Sequence, residues 1–316
     1  MRPFGERLYT YLNSHMIFFT LAAMACGWLI GSSLNVFHDY VYLMFAYMTF
    51  VTALKTSWRD LGNIFRKPLP LISIVVLQHM LMPFVANLIG KYGFPDNPQL
   101  ITGFILCVAL PAGITSVIWT DIGKGDVALS LTSATIDTLL SPLVVTIVLL
   151  MFAGQQVDIN YTAMISSLFK MIVIPSILGL TAHDLSKGSL YTSQIKYLGP
   201  LSFFCMCAVI MINTGTAQST ASSMTKDGPF LIAVVLGMVI FGFLSGWLLA
   251  KIFSFKKTVT TSCIFCAGIR NTSAGLVIAL GHMPPEASIP ILIAMIFQQP
   301  IAAIVHHILT RNQSDL

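Results

Sequence analysis

Long apolar stretches follow one another along nearly the whole chain, separated by short clusters of charged residues, proline and glycine. Each stretch is close to the ~20 residues that an α-helix needs to cross the hydrocarbon core of a bilayer. The ten predicted spans are residues 14–34, 38–57, 69–90, 99–121, 126–153, 159–183, 193–215, 228–254, 259–281 and 287–310. This pattern predicts an all-α, polytopic membrane protein with ten transmembrane helices.

Composition and charge support a membrane protein and predict which side of the membrane its termini face. Hydrophobic residues make up 56% of the 316 residues and charged residues only 9%, against about 25% charged residues in soluble domains. All 17 lysine and arginine residues except Lys91, Lys226, Lys170 and Arg270 fall in loops on one predicted side. Short cytoplasmic loops collect such residues. We therefore expect both termini in the cytoplasm, and we expect no nucleic-acid partner.

The sequence offers little for catalysis or metal binding. It contains no Ser/His/Asp arrangement for nucleophilic chemistry, and its six cysteines lie in apolar runs typical of buried free thiols. His79, His306 and His307 have no third ligand at a metal-binding spacing. We expect neither an enzyme nor a metal site.

An internal repeat is visible in the fourth and ninth spans. Pro111-Ala-Gly-Ile-Thr-Ser116 lies in one and Cys266-Ala-Gly-Ile-Arg-Asn271 in the other, and the span after each carries a central proline, Pro142 or Pro300. Paired spans interrupted by glycine or proline indicate the substrate site of a secondary transporter. We therefore expect discontinuous helices in spans 4 and 9.

The offset of five spans makes the two repeats inverted, because the second starts on the opposite side of the membrane. The first repeat is predicted at residues 1–154 and the second at residues 155–316. If the two interrupted helices cross, the freed backbone groups find their partners in protein, since lipid offers none.

Arg270 is the most informative residue of these interruptions. An ionisable side chain at membrane depth is a functional-site hypothesis by default. The predicted crossover and substrate residues are Thr115, Ser116, Arg270, Asn271, Gln298 and Gln299. Asn271 is expected to bond unwound backbone across the crossover, with Thr115 and Ser116 as its partners. Gln298 and Gln299 are expected either near the substrate or as polar contacts between helices.

Several of these motifs together resemble the bile acid:sodium symporter family, in its bacterial branch. The resemblance is carried by Gln78-His-Met-Leu-Met-Pro83, Leu110-Pro-Ala-Gly-Ile-Thr-Ser116, Gly123-Lys-Gly-Asp-Val-Ala-Leu-Ser130, Ser141-Pro-Leu143 and Gly268-Ile-Arg-Asn271. It implies a multi-pass protein of the bacterial inner (plasma) membrane. It also implies a panel domain, residues 14–57 and 159–215, and a core domain, residues 69–153 and 228–310, which move relative to each other in alternating access.

The family also implies organic anions as substrates, bile acids or smaller carboxylates, and two sodium sites behind the crossover. The ion-site equivalents in this chain are Gln78, Ser116, Ser130, Cys266 and Arg270. Cys266 stands at the glutamate position that both sites share, and Arg270 stands at a glutamine position of the second site. Val117 and Ala134 replace two further ligands of the first. Because sodium prefers oxygen ligands, we expect no bound sodium and no other cofactor.

Arg270 is therefore interpreted as a built-in cation in place of a coupling sodium. Asp137 is its predicted counter-ion, or else a proton site, because residues 130, 134, 137 and 141 share one helical face. The predicted function is a secondary transporter of a small organic anion. A sodium- or proton-coupled symporter and a passive facilitator or channel are the alternatives. The bilayer is the other expected partner, and the oligomeric state is left open.

Overall fold

The computed structural model describes residues 4–63, 68–154, 157–223 and 228–314. The predicted boundary between the repeats adjoins the gap after residue 154, and the loop residue Lys226 lies outside the described residues. Within these ranges the protein is all-α, as predicted.

The α-helices, in chain order, are α1 (Phe4–Ser14), α2 (Met16–Ile30), α3 (His38–Ala53), α4 (Trp58–Asn63), α5 (Pro68–Val76), α6 (Met82–Gly93), α7 (Pro98–Ala109), α8 (Thr115–Ile122), α9 (Val127–Phe152), α10 (Tyr161–Leu168), α11 (Ile174–Ser186), α12 (Ser189–Ser223), α13 (Gly228–Ile252), α14 (Lys257–Gly268), α15 (Thr272–His282) and α16 (Ile289–Ser314). Gly31–Phe37 and Pro285–Ser288 form 3-10 turns, and Leu77–Leu81 and Phe169–Val173 form π-helical turns.

Seven continuous helical stretches of the described chain are long and apolar enough to cross a membrane. One of them, residues 16–53, covers most of the first two predicted spans. The fourth and ninth predicted spans are not among the seven, because each is divided into two shorter helices. The protein is thus a multi-pass, all-helical membrane protein, and the number of crossings stays a prediction.

The helices form two compact units. The first contains the chain up to residue 62 together with residues 162–223, and the second contains residues 63–161 and the chain from residue 224 onwards. In the first unit, α12 packs along α1, α2 and α3, and α11 packs on α3. In the second unit, α13 packs on α14 and α16, and α7 packs on α6, α9 and α16. The predicted panel and core domains and the inverted repeats stay predictions.

Capping side chains begin the helices α7 and α9, which lie before and after the first interrupted segment in the chain. Asn97 accepts a hydrogen bond from Leu100 N–H at the start of α7, and Asp126 accepts one from Leu129 N–H at the start of α9. Such caps satisfy backbone donors that the first helical turn leaves free. The resemblance motif at residues 123–130 therefore includes the local signal that begins α9.

Proline residues explain the irregular turns in the long helices. The π-helical turns at 77–81 and 169–173 immediately precede Pro83 and Pro175, and at each turn an N–H donates five residues back, from Met82 to Leu77 or from Ile174 to Phe169. Proline has no N–H and so disturbs the regular ladder one turn before it. Such turns are frequent at functional sites.

A glycine contact holds α13 against α14. A Cβ added at Gly246 would lie 2.4 Å from the carbonyl oxygen of Cys263, whereas one added at Gly237, in the same helix, would meet nothing within 4 Å. We expect Gly246→Ala to destabilise the protein by about 1–3 kcal/mol through overpacking. Gly237→Ala is expected to be neutral or slightly stabilising. Thermal melting of the two purified variants in detergent measures the difference, and equal melting temperatures would contradict the prediction.

Candidate functional site

The two interrupted helices meet in the second unit. The first break separates α7 from α8, and the second separates α14 from α15. At the crossing, Ala112 and Arg270 form an isolated antiparallel β-bridge. Gly113 N–H donates to Ile269 O at 3.1 Å, and Asn271 N–H donates to Pro111 O at 2.9 Å. The unwound segments therefore satisfy each other's backbone groups, as lipid-buried backbone requires.

Gln298, from α16, completes the backbone pairing at Arg270. Its Oε1 accepts from Arg270 N–H at 2.9 Å, and its Nε2 donates to Arg270 O at 3.0 Å. One amide side chain thus takes the place of a neighbouring strand. Both of its polar ends are used inside the protein.

Gln299, the next residue, contacts the other half of the first broken helix. Its Nε2 donates to Thr115 Oγ1 at 3.1 Å, and its Oε1 accepts from Trp119 Nε1 at 2.9 Å. Gln298 and Gln299 therefore form polar contacts between α16 and the two breaks, and a position near the substrate stays a prediction.

Asn271 differs from its expected role. Its Oδ1 accepts from Ala274 N–H at 3.2 Å and caps α15, the helix that it precedes. The contact across the crossover comes from its backbone N–H. The expected bond to unwound backbone across the crossover is therefore formed, but its partner is Pro111 O and not Thr115 or Ser116. The side chain is used on α15, because an asparagine directly before a helix satisfies that helix's own first-turn donors.

Asp137 is buried and lies on α9 facing the first break. Its Oδ2 accepts from Ala112 N–H at 2.8 Å, and its Oδ1 accepts from His79 Nε2 at 2.6 Å. Ser130, Ala134 and Ser141 are buried with it, as their shared helical face predicts. The carboxylate therefore ties α9, the π-helical turn at 77–81 and the crossover together.

The predicted ion pair between Asp137 and Arg270 is not formed. The two side chains interact electrostatically, but among the described residues Asp137 forms its ion pair with His79. Sequence spacing correctly placed Asp137 on the face of α9 that it shares with Ser130, Ala134 and Ser141. The spacing did not show that the basic side chain in contact with Asp137 is His79. The signal for His79 was its position beside Gln78, before Pro83, in a motif that was interpreted only through Gln78.

The guanidinium of Arg270 lies at the end of α7. Nη1 donates to Leu110 O at 3.5 Å, and Nη2 is buried without a hydrogen-bond partner. The residue as a whole is 6% exposed. The last carbonyls of a helix carry partial negative charge, so this position favours a cation.

The ion-site equivalents are brought together around the second break. The Cys266 thiol lies beside the hydroxyls of Ser116 and Ser130, and Gln78 Nε2 donates to Cys266 O at 2.8 Å. Ser130 is also hydrogen-bonded to Thr120 at 2.9 Å. Two hydroxyls and a thiol are a poor donor set for a hard cation, which takes carboxylate, carbonyl and water oxygens. Gln78 Oε1 and Ser116 Oγ are nevertheless buried without a hydrogen-bond partner among the described residues. The absence of bound sodium stays a prediction.

Cys266 also forms a Cys-x-x-Cys spacing with Cys263. Both are free thiols, buried in α14 against Ile74 and Ala250. Redox-active pairs are at least partly exposed, so burial favours a packing role for both.

Comparisons with known proteins identify the family of this chain. The family model of the Sodium Bile acid symporter family matches residues 42–223. The chain belongs to this family. The uncharacterized protein YbaS of Bacillus subtilis is 34% identical over 292 residues, which cover 92% of this chain and 95% of that protein.

More distant relatives of the family carry functional names. The uncharacterized sodium-dependent transporter YocS of Bacillus subtilis is 24% identical over 253 residues, 80% of this chain and 77% of that protein. The hepatic sodium/bile acid cotransporter of Homo sapiens is 25% identical over 242 residues, 73% of this chain and 68% of that protein. The family resemblance of the motifs is therefore confirmed. The chain is a membrane transporter of a small molecule and is not an enzyme.

Proposed function

We propose that this protein is a secondary transporter that moves an organic anion across the bacterial inner membrane by alternating access, with Arg270 in place of a coupling sodium. The observation that carries the proposal is the position of the guanidinium. It is buried beside the Leu110 carbonyl, at the end of a half-helix.

A fixed cation suits the environment in which a coupling ion would otherwise sit. Two half-helices, α7 and α14, end at the crossover, and their terminal carbonyls favour positive charge. Arginine is always protonated and presents five N–H donors in a rigid fork. Cys266, at the shared glutamate position, lacks the carboxylate that would attract sodium. The guanidinium of Arg270 can then supply the positive charge that the terminal carbonyls of the half-helices favour.

The proposal includes ten membrane crossings in two inverted repeats, with panel and core domains and both termini in the cytoplasm. The two breaks in corresponding positions support the repeats, and the distribution of lysine and arginine supports the orientation. Labelling of single cysteines introduced near each terminus in intact cells tests the orientation.

The test of the proposal is uptake by proteoliposomes containing the purified protein. Radiolabelled taurocholate, a bile-acid anion, and butyrate, a small carboxylate, serve as probes under a sodium gradient, a pH gradient or neither. We expect saturable uptake that a sodium gradient does not change, because Cys266 supplies no carboxylate beside Ser116 and Ser130 and carboxylate oxygens are preferred ligands of hard cations. Uptake by the unmutated protein that requires sodium would overturn the proposal.

A matched pair of variants sharpens this test. Cys266→Glu combined with Arg270→Gln restores a carboxylate beside the two hydroxyls and removes the fixed charge. This variant is expected to gain sodium-stimulated uptake. Cys266→Ala combined with Arg270→Gln lacks the carboxylate and is expected to gain none. Equal sodium responses in the two variants would show that Arg270 does not stand in for the ion.

Proton coupling is the second candidate, favoured by the buried pair of His79 and Asp137. Acidic residues within membrane spans mark proton relays, and this carboxylate contacts the break directly at Ala112. A proton-coupled transporter would respond to the imposed pH gradient, and His79→Gln would weaken that response. Non-saturable uptake that follows neither gradient and shows no counterflow would indicate a channel and not a carrier.

A further inference from the structure

A group of unpaired polar atoms lies on one turn of α12, in the first unit. Both amide atoms of Asn213 and the hydroxyls of Thr214 and Thr216 are buried without a hydrogen-bond partner among the described residues. Asn213 as a whole is 0% exposed. A buried polar group without a partner destabilises the fold, and nearly all such groups in proteins are paired. These atoms therefore need a partner that the described helices do not supply in this conformation.

Asn213 lies on the face of α12 opposite to the one that packs on α2 and the turn after it. A Cβ added at Gly27 would overlap Met211 O, and one added at Gly215 would lie 2.7 Å from Gly31 O. Met211 and Gly215 thus mark the packed face. Successive helical residues point about 100° apart, so Asn213 points about 200° away from Met211. The amide is not part of the packing of α12 on α2.

We propose that Asn213 is a substrate-contact residue, whose amide binds an uncharged hydroxyl or amide group of the transported anion in another state of the transport cycle. The inference rests on the proposed function, because alternating access opens and closes a binding site by moving one group of helices against another. The substrate is then an anion that also carries a hydroxyl or amide group.

The chemistry of the asparagine side chain selects this kind of group. Asparagine offers two N–H donors and one carbonyl acceptor, and the hydroxyls of Thr214 and Thr216 both donate and accept. A hydroxyl or amide of the solute also does both, whereas a carboxylate only accepts and would leave Asn213 Oδ1 unpaired. For packing alone, leucine has the same branched shape and no polar atoms. A residue that weakens the fold in this way is typical of functional positions.

The first test is thermal melting of the purified full-length protein in detergent. Asn213→Leu is expected to melt about 2–6 °C higher than the unmutated protein, because it removes buried unpaired atoms. Asn213→Val is smaller, guards against overpacking and is expected to melt higher as well. Asn13→Leu is the matched control: Asn13 Nδ2 donates to Tyr9 O at 3.0 Å, so this substitution removes a formed hydrogen bond and is not expected to raise the melting temperature.

If neither variant at Asn213 melts higher, then the amide is already paired in the folded protein, by the chain or by a buried water, and the inference is overturned. This outcome leaves the proposed function in place, because the response to sodium is measured separately on variants at Arg270 and Cys266.

The second test is proteoliposome uptake of two pairs of radiolabelled probes that differ only in hydroxyl groups. The pairs are 3-hydroxybutyrate with butyrate, and taurocholate with the taurine conjugate of cholanic acid. We expect the unmutated protein and Asn13→Leu to have a KM about 10-fold lower for the hydroxylated member of the transported pair, the order of one hydrogen bond. Asn213→Leu is expected to lose this preference and to keep its Vmax for the other member.

An unmutated protein without the preference, or an Asn213→Leu variant that retains it, would overturn the inference alone. A failure of all four probes to give saturable uptake would overturn the proposed function, and the inference with it.

Discussion

Asp137→Ala is expected to remove most of the folded, active protein. The substitution leaves the His79 imidazole and the Ala112 N–H buried without their partner. Breaking a buried ion pair by removing one side typically costs about 3–5 kcal/mol, a large part of the 5–15 kcal/mol that stabilises an ordinary domain. Thermal melting in detergent and proteoliposome uptake measure the loss. The melting temperature and the uptake rate are expected to fall together, because the Asp137 carboxylate bonds the Ala112 N–H at the crossover.

The same helix provides the control for Asp137. Asp126→Asn keeps the cap at the start of α9, since asparagine caps as well as aspartate, and it is expected to change stability by less than about 0.5 kcal/mol. Asp137→Asn is expected to lie between the two, because its amide oxygen still accepts the Ala112 N–H. If Asp137→Ala melts like Asp126→Asn, then the carboxylate does not hold the first break in place.

Gln298→Leu is expected to have the second largest effect. It leaves the N–H of Arg270 buried and unpaired, at about 1–3 kcal/mol, and removes one of the two hydrogen bonds to Arg270 O, which also accepts from Thr272 N–H at 2.9 Å. Gln299→Leu, at the neighbouring position, removes side-chain contacts to Trp119 and Thr115 that are partly exposed, and is expected to cost about 0.5–1.5 kcal/mol. Melting temperature and uptake rate are measured for both variants.

Comparing the neighbouring glutamines separates two explanations of their role. If both were substrate contacts, both variants would keep their melting temperatures and lose uptake affinity. The structure predicts instead that Gln298→Leu loses stability first, because its amide replaces a backbone partner at the second break. A Gln298→Leu variant as stable as the unmutated protein would contradict this role.

Much of the helical architecture was predictable from residue patterns. The apolar stretches of about 20 residues mark the helices, because crossing the hydrocarbon core imposes that length. The repeated Ala-Gly-Ile segments mark the two interruptions, and the structure has a break at each, residues 110–114 and 269–271. Asp126 and Asn97 each cap the helix that follows them, which is a local interaction within four residues of the chain.

The contacts of the polar residues at the breaks were less predictable. Helical spacing placed Asp137 on the face toward the ion-site equivalents and led to the wrong partner, Arg270. The correct partner, His79, comes from a helix that is 58 residues away in the sequence. Gln298 and Gln299 are adjacent, yet they contact different broken helices. No one-dimensional pattern distinguishes them, because adjacent helical residues point about 100° apart and their neighbours are set by packing.

The sequence by itself determined the family, the all-helical membrane class and the two interruptions. These follow from side-chain chemistry and hydrophobic length, which are local properties of the chain. The tertiary structure decided that the breaks pair as a β-bridge, that Gln298 completes that pairing and that His79 bonds the Asp137 carboxylate. It also left the Arg270 guanidinium with unused donors. These are long-range contacts between separate helices, so they exist only once the helices have packed.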